Sequence, residues 1–174
     1  VDIPDRMATA ETTRQQGAKL GATKFYRGEG IALDASGVWF AASTAGRSHG
    51  GQIFRYRAVS SGEGDLVLEH EVEDRQILSC PDNLVMTPWG ELLMSEDNYN
   101  RAGGVTHQFM RLMTASGRVI DVARNEQNVT ERDAPGGEFT GACFSPDGRI
   151  LFVNIQHPTQ MTLAITGPWP TQKS

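Results

Sequence analysis

One pattern recurs three times in this chain: a short apolar run, a tight turn and a second apolar run. It limits the fold more than any other feature. The middle copy, Asp82 to Asn98, reads DNLVMTPWGELLMSEDN. Leu84-Val85-Met86 leads into Thr87-Pro88-Trp89-Gly90, then Leu92-Leu93-Met94, then Ser95-Glu96-Asp97-Asn98. Proline presets φ and glycine tolerates a positive φ, so the centre reads as a turn between two strands. The first copy runs from Gly30 to Phe40 and the third from Gly141 to Val153. Their turn glycines, Gly37, Gly90 and Gly148, lie 53 and 58 residues apart. A β-hairpin repeating about every 40–50 residues is the mark of propeller blades. A single blade leaves an apolar face exposed, so neighbours must stack to bury it. The expected fold is all-β: a partial β-propeller of about three four-stranded blades.

Taken in order, residues 1–25 read as a connector or the remnant of a preceding blade. Thr9 to Leu20 is a candidate short helix, weakened by Gly17. Blade one covers 26–79, with strands at Glu29 to Asp34, Val38 to Ser43, Gly51 to Arg57 and Asp65 to Val72. Blade two covers 80–124, with later strands at Thr106 to Thr114 and Arg118 to Ala123. A long polar connection follows from Asn125 to Gly137 and holds the sequon Asn128-Val129-Thr130. Blade three covers 136–169, with strands at Phe139 to Ser145, Arg149 to Gln156 and Met161 to Thr166. Its fourth strand is expected from the other end of the chain. Asp34, Ser36 and Asp147 are assigned to hairpin turns.

Length and charge narrow the function classes. The 174 residues suffice for one substantial core. A net charge of −5 argues against a nucleic-acid groove, which needs a basic stripe. No stretch is long and apolar enough to span a membrane. Cys80 and Cys143 have no metal-ligand spacing and read as buried apolar thiols. The chain starts at Val1 without an initiator methionine or signal peptide, and three blades would leave strand edges and an apolar flank open. It is therefore read as part of a longer chain.

Three polar clusters keep step with the repeat. Arg27-Gly28-Glu29-Gly30 precedes the first strand of blade one, Glu96-Asp97-Asn98 follows the second strand of blade two, and Gly137-Glu138 precedes the first strand of blade three. Ends of inner strands converge in a propeller. Carboxylates that meet there raise one another's pKa, and a hard cation such as Ca²⁺, with 6–8 oxygen ligands, relieves the repulsion. Arg27 offers a planar fork to an oxyanion, and Asn98 an amide donor. Each acid taken singly also fits a solvated turn residue. His49 and His157 read as loop-surface histidines.

RGEG (Arg27 to Gly30), GQIFRYR (Gly51 to Arg57), CPDNLVMTPWGELLMSEDN (Cys80 to Asn98), GEFTGACFSPDGRILFVNIQHP (Gly137 to Pro158) and AITGPW (Ala164 to Trp169) resemble the C-terminal half of PhoX-type bacterial alkaline phosphatases. The resemblance implies a six-bladed β-propeller, exported by the twin-arginine route to the periplasm or beyond and monomeric when full length. It implies hydrolysis of phosphate monoesters at calcium and iron (Ca²⁺, Fe³⁺) on the propeller axis. It makes Glu29, Asp97 and Glu138 metal ligands and Arg27 and Asn98 phosphate contacts. The family's iron-binding cysteine, another metal-binding acid and a phosphate-contacting lysine have no counterpart here, and neither Cys80 nor Cys143 replaces that ligand. Two other readings stay open: a non-catalytic propeller scaffold with at most a structural calcium, and a propeller lactonase or phosphotriesterase.

Overall fold

The computed structural model describes residues 1–98, 107–127, 137–156 and 160–170. The sequon at Asn128 and the histidine at 157 lie outside the described residues. A seven-residue helix, α1 (Thr13–Lys19), comes first. It is shorter than the span from Thr9 to Leu20 because Thr12 caps it. The Thr12 hydroxyl accepts from the Gln15 N–H while the Gln15 side chain accepts from the Thr12 N–H, a reciprocal box that marks a helix start.

Among the described residues the remaining elements are eleven strands. They are β1 (Gly28–Asp34), β2 (Gly37–Ala42), β3 (Gln52–Ser60), β4 (Glu63–Glu71), β5 (Pro81–Met86), β6 (Leu92–Glu96), β7 (Phe109–Met113), β8 (Val119–Arg124), β9 (Phe139–Phe144), β10 (Ile150–Ile155) and β11 (Met161–Thr166). They form three antiparallel sheets, β1-β2-β3-β4, β5-β6-β7-β8 and β9-β10-β11, each in chain order. Every expected hairpin is present. The third sheet has three strands among the described residues.

Two apolar layers join the sheets. Ala41, Ile53, Leu84, Leu92, Met94 and Met113 fill the space between the first and second. Leu93, Met110, Leu112, Phe139, Leu151 and Val153 fill the space between the second and third. Side chains alternate along a strand, so β6 sends Leu92 and Met94 one way and Leu93 the other. A strand buried on both faces reads as a continuous apolar run, which is why Leu92-Leu93-Met94 shows no polar alternation.

The outward face of the first sheet is also apolar. Ile31 pairs across to Phe40 and on to Phe54, and Leu33 to Val38 and Tyr56. Phe25 stacks edge-on against Phe40 and Phe54, but Ile31 and Leu33 stay 68% and 71% exposed. Cys143 departs from its expected burial. It is exposed, because with its partner Phe152 it faces away from the second sheet. Cys80 is buried, and both thiols are free.

The hairpins share one irregularity. In β1 the register with β2 slips by one residue between Gly28 and Ile31. In β5 it slips against β6 between Pro81 and Leu84, and in β9 against β10 near Gly141. Each first strand carries one extra residue, and such bulges re-aim side chains at strand ends.

Candidate metal and phosphate site

The three hairpins end on equivalent rungs, and those rungs carry the site. The Ser43 N–H donates to the Arg27 carbonyl at 2.8 Å, Asp97 N–H to Cys80 at 2.9 Å, and Gln156 N–H to Glu138 at 2.9 Å. Arg27, Cys80 and Glu138 therefore hold the same place before their first strands. Asp97 stands opposite Cys80. Arg27 and Cys80 both have positive φ, 53° and 50°, a conformation side chains rarely adopt and that recurs where the backbone must aim a functional group.

These rungs bring four carboxylates around one guanidinium. Arg27 Nε lies 3.1 Å from Glu29 Oε1, and Nη2 donates to Asp97 Oδ2 and lies 4.0 Å from Asp82 Oδ1. Glu138 interacts with Asp97, Asp82 and Arg27 and shares a hydrogen bond with the Asp82 carboxyl. Burial, with the charges of Glu29 and Asp97, pushes Asp82 up to about 6. Burial, with Asp97 and Asp82, pushes Glu138 up to about 8. Like charges brought out of water cannot all ionise cheaply, which is why both carboxyls stand above the usual carboxylate range. The calcium expectation rested on the same repulsion.

Glu29, Asp97, Glu138 and Arg27 are thus together, drawn from all three sheets. Asn98 lies alongside, buried. Its N–H donates to Gln108 Oε1 at 3.0 Å, and its Oδ1 accepts from Arg75 Nη2 at 3.0 Å. The donor set is carboxylate oxygen throughout, the set a hard divalent cation prefers. Among the described residues, no three acid, histidine or cysteine side chains are arranged as an ion-holding group.

Sequence reasoning passed over Asp82 and Arg75. Asp82 had a signal: it stands eight residues before Gly90, as Glu29 stands eight before Gly37. Asn83 beside it fastens the second sheet to the third. Its Oδ1 accepts from Thr140 Oγ1 at 2.8 Å and Gly141 N at 2.6 Å, while its Nδ2 donates to Asp82 Oδ2 at 2.6 Å. Arg75 had no sequence signal, because it sits in the loop between β4 and β5, away from every repeat landmark.

Below the site lies a buried ion pair. Arg111 Nε donates to Glu96 Oε1 at 3.2 Å, with side chains 5% and 0% exposed. The Ser79 N–H donates to the same oxygen at 2.8 Å, and Arg111 Nη2 to the Gln76 carbonyl at 3.0 Å. This pair braces the loop carrying Arg75 and Cys80 against β6 and β7.

No curated protein matches this sequence. The family model for Alkaline phosphatase PhoX matches residues 3–159, a span that takes in all three hairpins and every acid of the cluster. The chain belongs to the PhoX alkaline phosphatase family.

Proposed function

We propose that this chain contributes half of the active site of a metal-dependent phosphomonoesterase, with the three sheets as successive blades of a propeller. The observation that carries this reading is the convergence of Glu29, Asp82, Asp97 and Glu138 on Arg27 from three separate hairpins. The uncovered apolar face at Ile31 and Leu33 supports the blade reading, since stacked sheets bury such faces.

Glu29, Asp97, Glu138 and Asp82 would hold the metal. Their all-oxygen chemistry fits Ca²⁺, while Fe³⁺ is carried by the family resemblance alone. Bound cations supply Lewis-acid polarisation of the phosphoryl oxygens. Arg27 binds phosphate through its planar fork of N–H donors, and Asn98 adds an amide N–H. Both act as preformed donors where negative charge accumulates, in a setting of reduced solvent. With its acids committed to cations, Arg27 is the cationic donor left facing the substrate. A periplasmic or secreted setting and a monomeric full-length protein follow from the resemblance.

The test is hydrolysis of p-nitrophenyl phosphate by the metal-loaded full-length protein, before and after chelation. Activity should vanish on chelation and return with calcium and iron. Arg27→Ala should lower kcat/KM by about 10²–10³-fold, the loss typical of one transition-state donor. A fully loaded protein without ester hydrolysis refutes the reading. The isolated 174-residue chain is expected to be inactive.

One observation favours a second reading. Arg27 already neutralises Glu29 and Asp97, as in a purely structural ion-pair network. Unchanged turnover and metal content in Glu29→Ala and Asp97→Ala would favour a non-catalytic scaffold. Comparing mono-, di- and triester hydrolysis separates a phosphatase from a propeller lactonase or phosphotriesterase.

A further inference from the structure

We propose that Arg75 is a positioning residue for phosphate recognition, clamping the Asn98 amide so that its NH₂ edge faces the bound oxyanion. This rests on Asn98 being the phosphate contact proposed above.

An amide has an acceptor edge and a donor edge of nearly equal size. Only the donor edge binds an anion; the flipped amide points Oδ1 at the phosphate and repels it. The Asn98 backbone N–H is held by Gln108 Oε1 at 3.0 Å. At the side chain, Arg75 Nη2 donates to Oδ1 at 3.0 Å, which marks that edge as the acceptor and sets the NH₂ edge opposite it.

The clamp is rigid. Arg75 Nε donates to Ser79 Oγ at 3.2 Å and Nη2 to Cys80 Sγ at 3.1 Å. Nη1 donates to the His49 carbonyl at 3.1 Å and reaches that of Ser48 at 3.5 Å. Its own loop is held by Arg111 on the Gln76 carbonyl and by Glu96 on the Ser79 N–H. All these acceptors of Arg75 are neutral. A half-buried guanidinium without a carboxylate within ion-pair distance among the described residues leaves positive charge beside a site meant for an anion.

The test is a double-mutant cycle in the metal-loaded full-length protein, read as kcat/KM for p-nitrophenyl phosphate and as affinity for inorganic phosphate. Arg75→Met should lower kcat/KM by about 10–100-fold, the range of one charge-assisted hydrogen bond. Metal content should not change. Asn98→Ala should lose as much or more, and the double variant should match Asn98→Ala within about two-fold, because Arg75 acts through Asn98. Arg75→Lys keeps the charge without the fork, so it should resemble Arg75→Met. If Arg75→Met does not fold, the Arg75→Lys cycle decides the question in the same way. Phosphate affinity should weaken in the single variants and show the same coupling. Fully additive losses, or wild-type behaviour of Arg75→Lys, overturn the clamp while leaving the phosphatase reading intact. A wild-type protein that neither binds phosphate nor hydrolyses the ester overturns both.

Discussion

Gly30 lies where the first strands of two sheets press backbone against backbone, and adding one methyl group there tests the arrangement that assembles the site. A Cβ on Gly30 would sit 2.1 Å from the Asp82 carbonyl oxygen, 2.6 Å from Leu84 N and 2.9 Å from Asn83 Cα. All three are backbone atoms of β5, so no side chain can turn aside. To accept the methyl, β5 must move away from β1, opening the layer where Leu84 and Met94 pack. Overpacking costs roughly 1–3 kcal/mol, and a clash against backbone belongs at the top of that range, about 3 kcal/mol. For a domain of this size, about 3 kcal/mol lowers Tm by roughly 6–12 °C. Gly28→Ala is the control. It lies two residues earlier in the same strand, and a Cβ there meets nothing within 4 Å. It should change stability by less than about 0.5 kcal/mol. Urea and thermal denaturation followed by circular dichroism compare the two. Equal melting of Gly30→Ala, Gly28→Ala and wild type would show that β1 and β5 are not packed as described.

Three further outcomes are expected. Arg111→Met leaves Glu96 buried without its cation and should cost about 3–5 kcal/mol by urea titration; a loss under 1 kcal/mol would deny the pair its burial. Asp34 is raised by burial, but donors at Ser36, Trp39 and Gly37 outweigh this and hold its carboxyl below the usual range. A depressed folded pKa gives stability that is present above the unfolded value and lost as pH falls through the folded one. Asp34→Asn should therefore flatten the acid limb of the stability–pH curve below about pH 4, and an unchanged limb refutes this. Calcium added to chelated full-length protein should raise its stability, by about 2.7 kcal/mol at a hundred times Kd; Glu138→Gln should reduce that gain, and an equal gain in both would remove Glu138 from the site.

Local chemistry made much of this fold readable. Pro88 and Gly90, Asp34 and Gly37, and Asp147 and Gly148 announce hairpins, because turn conformations depend on the residues within them. Asp147 Oδ1 accepts from Ser145 Oγ and the Arg149 N–H, the local bonding that makes aspartate a turn-former. Arg27, Glu29, Asp97, Asn98 and Glu138 were visible because they keep step with the repeat. Cys143 was misjudged because the apolar neighbours that suggested a core residue do not say which face of an outer sheet is covered.

The sequence by itself determined the strands, their turns and the level at which the acids stand on each hairpin. These depend on φ preferences and two-residue alternation, which act over a few neighbours. Only the tertiary structure decided that Asp82 joins the cluster, that Arg27 lies among four carboxylates, and that Arg75 reaches Asn98 from a distant loop. Asp82, Asp97 and Glu138 stand 55, 70 and 111 positions from Arg27, and Arg75 stands 23 from Asn98; how sheets stack and where first strands bulge sets these contacts. Charge repulsion and burial act through space, and no local pattern in the chain encodes that distance.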